Sequence, residues 1–322
     1  MSARTQDELV AARTRDWQEL DRLLLGGDGL GGRDGATISR VAALYRALCT
    51  DLMRASAARV TPDLSAYLDG LAARAHAALY GSRPFQMPAV AAFFTRDFPR
   101  ALRANWRAFA IACALFFVPF VAGLLGALAS EGFAGKVLPA QTLEHMERAY
   151  SQGFAEGRDA GTDAAMAGFY VRNNVGIAFR CFATGILFGT GSLFFLVYNG
   201  LVTGVVVGYV MAAGHGANIW TFMCGHAPFE LGAIVIAGGA GLQMGYALVD
   251  TSGLTRIGSL RRAQAPIVQE VLGAGVMLLI AALIEGFWSP SSIPAPIKWA
   301  ASGFNVVIIV LYLALAGREP RR

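Results

Sequence analysis

Seven polar side chains lie inside or at the ends of long apolar runs, where a polar group is costly and therefore informative about function. His226 and Glu230 are four residues apart, about one helical turn, which would place them on one face. Glu285 ends a later apolar run, and Arg180 lies about two turns inside an earlier one. We predict that seven residues form one polar cluster: Asn173, Asn174, Arg180, His215, His226, Glu230 and Glu285.

The residue types leave three interpretations of this cluster open. In a structural role, Arg180 neutralises Glu230 or Glu285 while the others satisfy backbone groups at broken helix ends. In a binding role, the cluster holds a ligand, an ion or a proton. In a metal or acid–base role, His215 and His226 act with the two carboxylates, a set that could hold zinc.

The spacing disfavours the metal interpretation. His226-x-x-x-Glu230 differs from the HExxH helix of metalloproteases, and Pro228 inside it weakens the argument for a shared helical face. The four cysteines form no CxxC pair. We therefore expect no catalytic residue, no bound metal and no cofactor. Glu270 lies at the other end of its run, where it could face water or pair with a loop arginine, and we leave it out of the cluster.

The elements that carry these residues are apolar runs of membrane-spanning length. Of 322 residues, 55% are hydrophobic and 15% are charged, whereas a soluble domain carries about 25% charged residues. This composition excludes an ordinary soluble enzyme and a disordered chain. A spanning helix needs roughly 20 apolar residues. We predict an all-α, polytopic helical membrane protein with about six transmembrane spans, at 107–129, 175–198, 200–216, 228–249, 265–286 and 298–316.

Two further segments precede the first span. Apolar residues recur at helical spacing within residues 1–87, which predicts a cytoplasmic helical domain with a glycine-rich linker at 26–32. In residues 88–106, apolar residues step by four beside arginines, a pattern typical of an amphipathic helix at the lipid headgroups. The third span is short and glycine-rich, so it could be tilted or re-entrant.

The distribution of charge orients the spans. Residues 1–107 hold fifteen Lys/Arg against eleven Asp/Glu, whereas residues 130–172 hold four against six. The positive-inside rule then predicts that both termini, including the tail 317–322, are cytoplasmic, and that 130–172 is an acidic outer loop. On this topology, Asn199-Gly200 forms a cytoplasmic turn and the polar cluster falls in the outer third of the membrane. The net charge of +5 indicates lipid headgroup contacts rather than nucleic-acid binding.

Glycines repeat at helical spacing inside the predicted spans. In lipid, close backbone contact at small residues brings helices together, because apolar burial supplies no such force there. These glycines predict either packing within the chain or the interface of a homodimer. They are Gly185, Gly189, Gly200, Gly204, Gly208, Gly241 and Gly245.

The order of these features resembles the stage II sporulation protein M family of bacterial and archaeal membrane proteins. The resemblance covers nearly the whole chain and rests on Trp17 to Leu24, Leu44-Tyr45-Arg46, Asp51-Leu52, Tyr67-Leu68, Arg74-Ala75-His76, Tyr80, Phe98-Pro99, Asn173-Asn174, Gly185 with Gly189, Asn199-Gly200, His226 with Glu230, and Glu285. Two positions depart from the family pattern. The usual His-Gly-x-x-Glu is here His226-Ala227-Pro228-Phe229-Glu230, and the usual Leu-Asn pair is Leu68-Asp69.

The resemblance implies a non-enzymatic role. The namesake of the family is a membrane anchor that brings cell-wall hydrolases together, and the genes of other relatives accompany MoxR-type ATPases. We therefore hypothesise a scaffold in the bacterial inner membrane that recruits or organises partner proteins, in cell-envelope remodelling. The alternatives are a transporter, channel or lipid-handling protein that uses the polar cluster, and a membrane metallohydrolase. Expected partners are the lipid bilayer, other membrane or envelope proteins, a MoxR-type ATPase system and a second copy of the chain.

Overall fold

The chain forms two compact helical units, Met1–Gln86 and Met87–Arg322. The structure is a computed structural model and describes residues 3–25, 30, 33–58, 60–80, 87–153, 157 and 160–318. The predicted linker at 26–32 lies, apart from Leu30, outside the described residues, and so do the last four residues of the predicted tail. Over the described ranges, every regular element is a helix.

The first unit contains three helices, α1 (Ala3–Leu24), α2 (Gly35–Ala58) and α3 (Pro62–Tyr80). The Asp34 carboxylate accepts a hydrogen bond from the Thr37 amide at the start of α2, and this bond lowers the pKa of Asp34. The buried Asp51 carboxylate accepts hydrogen bonds from Arg13 Nε and Trp17 Nε1, at 2.8 and 3.0 Å. Apolar side chains of all three helices form a core of their own: Trp17, Leu20, Val41, Leu44, Leu48, Leu68, Leu71 and Ala75.

The second unit contains the remaining helices. They are α4 (Met87–Ala92), α5 (Phe98–Ala104), α6 (Trp106–Ala129), α7 (Glu131–Val137), α8 (Ala140–Ser151), α9 (Ala160–Ala183), α10 (Thr190–Val210), α11 (Gly216–Met223), α12 (Ala227–Val249), α13 (Arg256–Leu283) and α14 (Ala295–Leu315). Short π-helical turns join α4 to α5 and α10 to α11, and another one extends α13.

Within the described residues, five stretches are long and apolar enough to cross a membrane: Trp106–Ala129, Thr190–Met223, Ala227–Val249, Arg256–Trp288 and Ala295–Leu315. The outward faces of α6 and α14 expose large apolar side chains such as Val118, Leu125 and Phe304. Apolar surface of this extent is what a lipid environment covers. The predicted all-α polytopic fold is confirmed, and the chain is a multi-pass membrane protein.

A sixth helix, α9, runs beside α12 although it is less apolar than the other five. Ala167, near the start of α9, packs against Gly286 at the end of α13. Gly185, just beyond the end of α9, packs against Gly241 in the second half of α12. Among the described residues, α9 thus lies along the bundle beside five stretches that are long and apolar enough to span a membrane, where six spans were predicted.

The predicted boundaries of the second and third spans, 175–198 and 200–216, are wrong. The chain reverses direction just before α10, at Gly189, whose φ of +83° favours glycine. α10 then continues through Asn199-Gly200, which is therefore not a turn. Asn199 Nδ2 donates a hydrogen bond to a carbonyl one turn earlier in its own helix, at 2.7 Å. The glycine-rich stretch is thus the middle of a long helix rather than a short re-entrant one.

Residues 130–172, predicted as an acidic outer loop, are largely helical where they are described. α7 and α8 pack onto α10, so that Leu143 is buried in one cluster with Val205. The Tyr209 hydroxyl donates a hydrogen bond to the Glu147 carboxylate at 3.0 Å. Apolar side chains at helical spacing outweigh the acidic composition of this segment, because each contributes burial against α10.

The predicted interfacial segment is built into the bundle. Phe98 packs directly on Gly273 of α13, where any side chain would overlap the phenyl ring. Arg103 Nη1 donates to the Leu313 carbonyl at 2.6 Å, and Nη2 donates to the Ala316 carbonyl at 2.7 Å. A cation at these last carbonyls also suits the negative end of the helix dipole. The start of α6 and the end of α14 therefore lie at the same end of the second unit.

Candidate functional site

Four of the seven predicted polar residues meet where α12 begins and α13 ends. Together with Ser289 we call them the His226 cluster: Asn174, His226, Glu230, Glu285 and Ser289. His226 Nε2 lies 3.8 Å from Glu230 Oε2 and 4.0 Å from Glu285 Oε1. Asn174 Nδ2 donates a hydrogen bond to Glu285 Oε2 at 3.3 Å. Four of the five residues are buried, and the side chain of the fifth, Glu230, is 18% exposed.

Pro228 sets the start of α12. His226 is the N-cap residue of this helix and Pro228 lies in the first turn, where a missing N–H leaves no hydrogen bond unmade. The Glu230 amide donates to the His226 carbonyl at 3.0 Å. The expectation that Pro228 weakens the pairing is therefore wrong, because the proline begins the helix on which His226 and Glu230 share a face.

Glu285 lies in a π-helical turn, Ile284–Trp288, that extends α13. Such wide turns are rare and occur frequently at functional sites. Ser289 follows at once, and its Oγ lies 3.0 Å from His226 Nδ1. The buried Lys298 Nζ donates to the Ser289 carbonyl at 2.7 Å and holds the end of this turn in place. Sequence reasoning missed Ser289 and Lys298, although Lys298 is a charged residue at the start of an apolar run.

The other three predicted residues lie outside this cluster. Asn173 is exposed and donates a hydrogen bond to Asn174 Oδ1 at 2.9 Å. Arg180 is exposed on α9, six residues beyond Asn174, and His215 lies in the π-helical turn after α10. Among the described contacts, no ion pair joins Arg180 to either glutamate of the cluster. The structure therefore does not show the charge neutralisation by Arg180 that the sequence suggested.

A second polar cluster lies at the other end of α12 and α13. We call it the Glu270 cluster: Asn105, Gln243 and Glu270. Asn105 Nδ2 donates to Glu270 Oε1 at 2.9 Å, and Gln243 Nε2 donates to Glu270 Oε2 at 2.6 Å. Glu270 is fully buried, so the expectation that it faces water or pairs with a loop arginine is wrong. Gln243 was the available signal, because it is the one side-chain amide in the apolar run of α12.

The seven predicted glycines make contacts within the chain. A Cβ at Gly185 would overlap the Gly241 carbonyl, and one at Gly245 would overlap the Gly189 backbone. In α10 the remaining three pack against backbone carbonyls of α6, and the facing pairs are Gly200 with Phe116, Gly204 with Phe120, and Gly208 with Leu124. The structure thus uses these glycines for packing inside one chain, and the homodimer stays a prediction.

The His226 cluster offers donor atoms for a cation. His226 Nε2, one Glu230 oxygen and one Glu285 oxygen all lie within 4.8 Å of one another. The separations of 3.8 and 4.0 Å from Nε2 to the carboxylates are longer than hydrogen bonds. An imidazole nitrogen and two carboxylates are ligands that divalent metal ions accept. The same groups could exchange protons, so the geometry alone admits both chemistries.

Comparisons with known proteins cover both units. Residues 7–81 match a family described as a domain of unknown function (DUF8413). Residues 111–290, more than half of the chain, match the family described as stage II sporulation protein M, and this match contains the whole His226 cluster. No curated protein and no solved structure matches the chain. This match agrees with the resemblance in the membrane part of the chain, from Asn173 to Glu285, whereas the residues quoted from Trp17 to Tyr80 lie in the other match. The chain belongs to the stage II sporulation protein M family.

Proposed function

We propose that this chain is a non-enzymatic membrane scaffold that recruits partner proteins through its first unit. The observation that carries this proposal is the division of the chain into two compact units, each with its own core. A helical unit that needs no contact with the bundle for its core is suited to presenting a surface. The bundle then acts as the anchor of that surface in the membrane.

A partly exposed group of aromatic rings on α2 and α3 supports this role. We call Tyr45, His76 and Tyr80 the aromatic patch. The Tyr45 hydroxyl is hydrogen-bonded to His76 Nδ1 at 3.0 Å, and the His76 and Tyr80 ring centroids are 5.0 Å apart. Tyr80 is 68% exposed. Aromatic residues are enriched in protein interfaces, where they bury a large area at a low cost in conformational entropy.

The interior of the second unit also favours an anchor over a conduit. Glycine contacts bring α9 against α12 and α10 against α6 at backbone distance. A cavity of about 250 Å³ beside α13 is lined by apolar or aromatic side chains, among them Phe94, Phe98, Phe229, Met277 and Tyr312. A lining of this kind offers no series of polar groups to replace the water around an ion.

We further propose that the end of the bundle that carries Arg103 faces the cytoplasm of a bacterium. The start of α6 and the end of α14 lie there, and so do the arginines of α5, those in the first turns of α13, and Arg318. Single cysteines at Gln141 and Arg261, in a cysteine-free chain, test this orientation. An impermeant thiol reagent applied to intact spheroplasts is expected to label position 141 alone, and labelling of position 261 alone would reverse it.

Site-specific photo-crosslinking in living cells tests the recruitment. A photoreactive residue replaces Tyr80 in the full-length chain, and the matched control carries it at Arg15, which is exposed on α1. We expect discrete adducts from position 80 that are lost in His76→Ala, and none of these from position 15. The resemblance directs the search toward envelope proteins and a MoxR-type ATPase system. Equal adducts at both positions would contradict the proposal.

A reconstitution experiment tests the alternatives directly. The purified chain alone, in liposomes, is expected neither to move a solute nor to turn over a substrate. Solute flux that Glu230→Gln abolishes while the protein still folds would replace the scaffold by a transporter.

A further inference from the structure

We infer that His226, Glu230 and Glu285 together bind one divalent transition-metal ion, which ties the start of α12 to the end of α13. This goes beyond the scaffold role and does not depend on it, since any partner of the first unit leaves these atoms unchanged. The chemical class of the ligand is a cation of intermediate hardness, such as Zn²⁺ or Mn²⁺.

The distances between the donor atoms suit such an ion. Two ligands on a tetrahedral ion with bonds of about 2.0–2.2 Å lie roughly 3.4 Å apart. His226 Nε2 is 3.8 Å from the Glu230 carboxylate and 4.0 Å from the Glu285 carboxylate. Shifts of about half an ångström, within the freedom of glutamate rotamers, bring each carboxylate to that separation from Nε2. As they stand, both carboxylates lie beyond hydrogen-bond distance of Nε2, and all three donor atoms lie within 4.8 Å of one another.

The surrounding side chains orient the donors. When Nδ1–H of His226 donates to Ser289 Oγ, the lone pair of Nε2 points toward the two carboxylates. Asn174 Nδ2 holds Glu285 Oε2 and leaves Oε1 directed at His226. A hydrogen-bonded second layer that fixes the histidine tautomer and a carboxylate oxygen is the common arrangement around protein-bound metals.

The charges of the cluster point the same way. A divalent cation between them would balance the charge of two carboxylates whose oxygens lie within 4.8 Å of one another. The imidazole selects against Mg²⁺ and Ca²⁺, which prefer sets made only of oxygen donors. The partial exposure of Glu230, 18%, leaves room on that side for a water molecule as a further ligand.

Metal binding to the purified full-length chain tests the inference. The protein carries a purification tag without histidine, is kept in detergent, and is stripped with a chelator and desalted. It is then titrated with Zn²⁺ or Mn²⁺ while bound metal per chain and Tm are measured. We expect one ion per chain and a higher Tm.

Three variants remove one ligand each. Glu230→Gln and Glu285→Gln are isosteric, and glutamine at position 285 still accepts the hydrogen bond from Asn174. His226→Asn keeps a donor for Ser289. We expect each to bind at least about 100-fold more weakly, since losing a ligand must exceed the 10–100-fold effect of losing an outer-layer partner. The matched control, Glu144→Gln on the exposed surface of α8, is expected to bind like the unmodified chain.

Several outcomes would overturn the inference. One is an unmodified chain that takes up no more Zn²⁺ or Mn²⁺ than Glu230→Gln does. Another is a Tm that rises equally with Mg²⁺ or Ca²⁺, which would assign the effect to general charge screening. Binding by the unmodified chain is measured without reference to any variant, so the test remains decisive if a variant does not fold. Failure here leaves the crosslinking result, and with it the scaffold proposal, unaffected.

Discussion

The two polar clusters of the second unit join the same two helices, α12 and α13, and differ in how their carboxylates are satisfied. They are about 20 Å apart along α12, since Glu230 and Gln243 are separated by thirteen residues. In the Glu270 cluster, two neutral amides donate to the two oxygens of one buried carboxyl group, at 2.9 and 2.6 Å. In the His226 cluster, two carboxylates face one imidazole at 3.8 and 4.0 Å.

This difference separates a structural contact from a binding site. A buried carboxyl group with a hydrogen bond at each oxygen is already complete, and removing it leaves two amides without acceptors. In the His226 cluster, by contrast, two carboxylates and one imidazole offer donor atoms from three side chains to a single cation. One pair of helices therefore carries a closed polar contact at one end and an ion-accepting site at the other.

The largest effect is expected from disrupting the close contact between α12 and the turn that follows α9. Gly185→Ala places a methyl group into the Gly241 carbonyl and forces α9 away from α12, so it should lower the free energy of unfolding by about 3 kcal/mol or more. Thermal unfolding in detergent measures this. Gly176→Ala lies within α9 and has no neighbouring atom within 4 Å of its added methyl group, so this control should be neutral or stabilising. Equal losses in both variants would mean that close contact at Gly185 is unimportant.

Removing the acid of the Glu270 cluster comes next. Glu270→Ala leaves the Asn105 and Gln243 amides without their acceptor and opens a cavity, so it should destabilise the chain by roughly 2–3 kcal/mol. Glu270→Gln keeps one acceptor and should lose about half as much. Unfolding by heat, with and without Zn²⁺, is the measurement. Both variants keep the His226 cluster, so Zn²⁺ should raise their Tm as much as it raises that of the unmodified chain. A smaller rise in either variant would erase the distinction between the two clusters.

A smaller effect is expected from the second layer of the His226 cluster. Ser289→Ala removes the group at His226 Nδ1 and should weaken metal binding about tenfold, or about 1.4 kcal/mol. Titration with Zn²⁺ measures the affinity, and the unchanged Tm of the stripped variant serves as the control for folding. A loss of stability without a loss of affinity would make Ser289 a packing residue only.

The smallest effect is expected from Glu230→Gln in the absence of metal. Replacing one of two repelling carboxylates by a neutral amide should leave the stripped protein within about 1 kcal/mol of the unmodified chain, or slightly more stable. The sign should reverse when Zn²⁺ is present. Chelator-treated and metal-loaded samples of both proteins, unfolded side by side, give the comparison. If Glu230→Gln destabilised the stripped protein as much as Glu270→Ala does, the contrast between the two clusters would be contradicted.

The sequence predicted those parts of the fold and site for which the local signal is unambiguous. Spans at 107–129 and 228–249 follow from long apolar runs, and His226 with Glu230 follows from a spacing of one turn. The pairing with Glu285 needed only that both run ends lie on one side of the membrane. These inferences depend on helical periodicity and hydropathy, which are local properties of the sequence and do not change with tertiary contacts.

The failures have a common physical cause. A glycine in an apolar run can mark the boundary of a helix or a close contact between two helices. The residue type is the same in both cases, so the sequence does not distinguish them. Gly189 is the N-cap residue at which α10 begins, whereas Gly200 packs on α6 in mid-helix, so the turn was assigned to the wrong glycine. Arg180 was assigned by charge alone, and no local pattern could reveal which way it faces. Glu270 was misassigned because its partners come from distant parts of the chain.

The contact between Arg103 and the carbonyls of Leu313 and Ala316 has a consequence for biosynthesis. More than two hundred residues separate the arginine from its two acceptors, so Arg103 is synthesised and leaves the ribosome long before Leu313 and Ala316 are made. The contact between the segment before α6 and the end of α14 can therefore form only after α14 has been inserted. Closure therefore requires that α14 has been synthesised, and a chain truncated before α14 would leave the Arg103 guanidinium without these two acceptors.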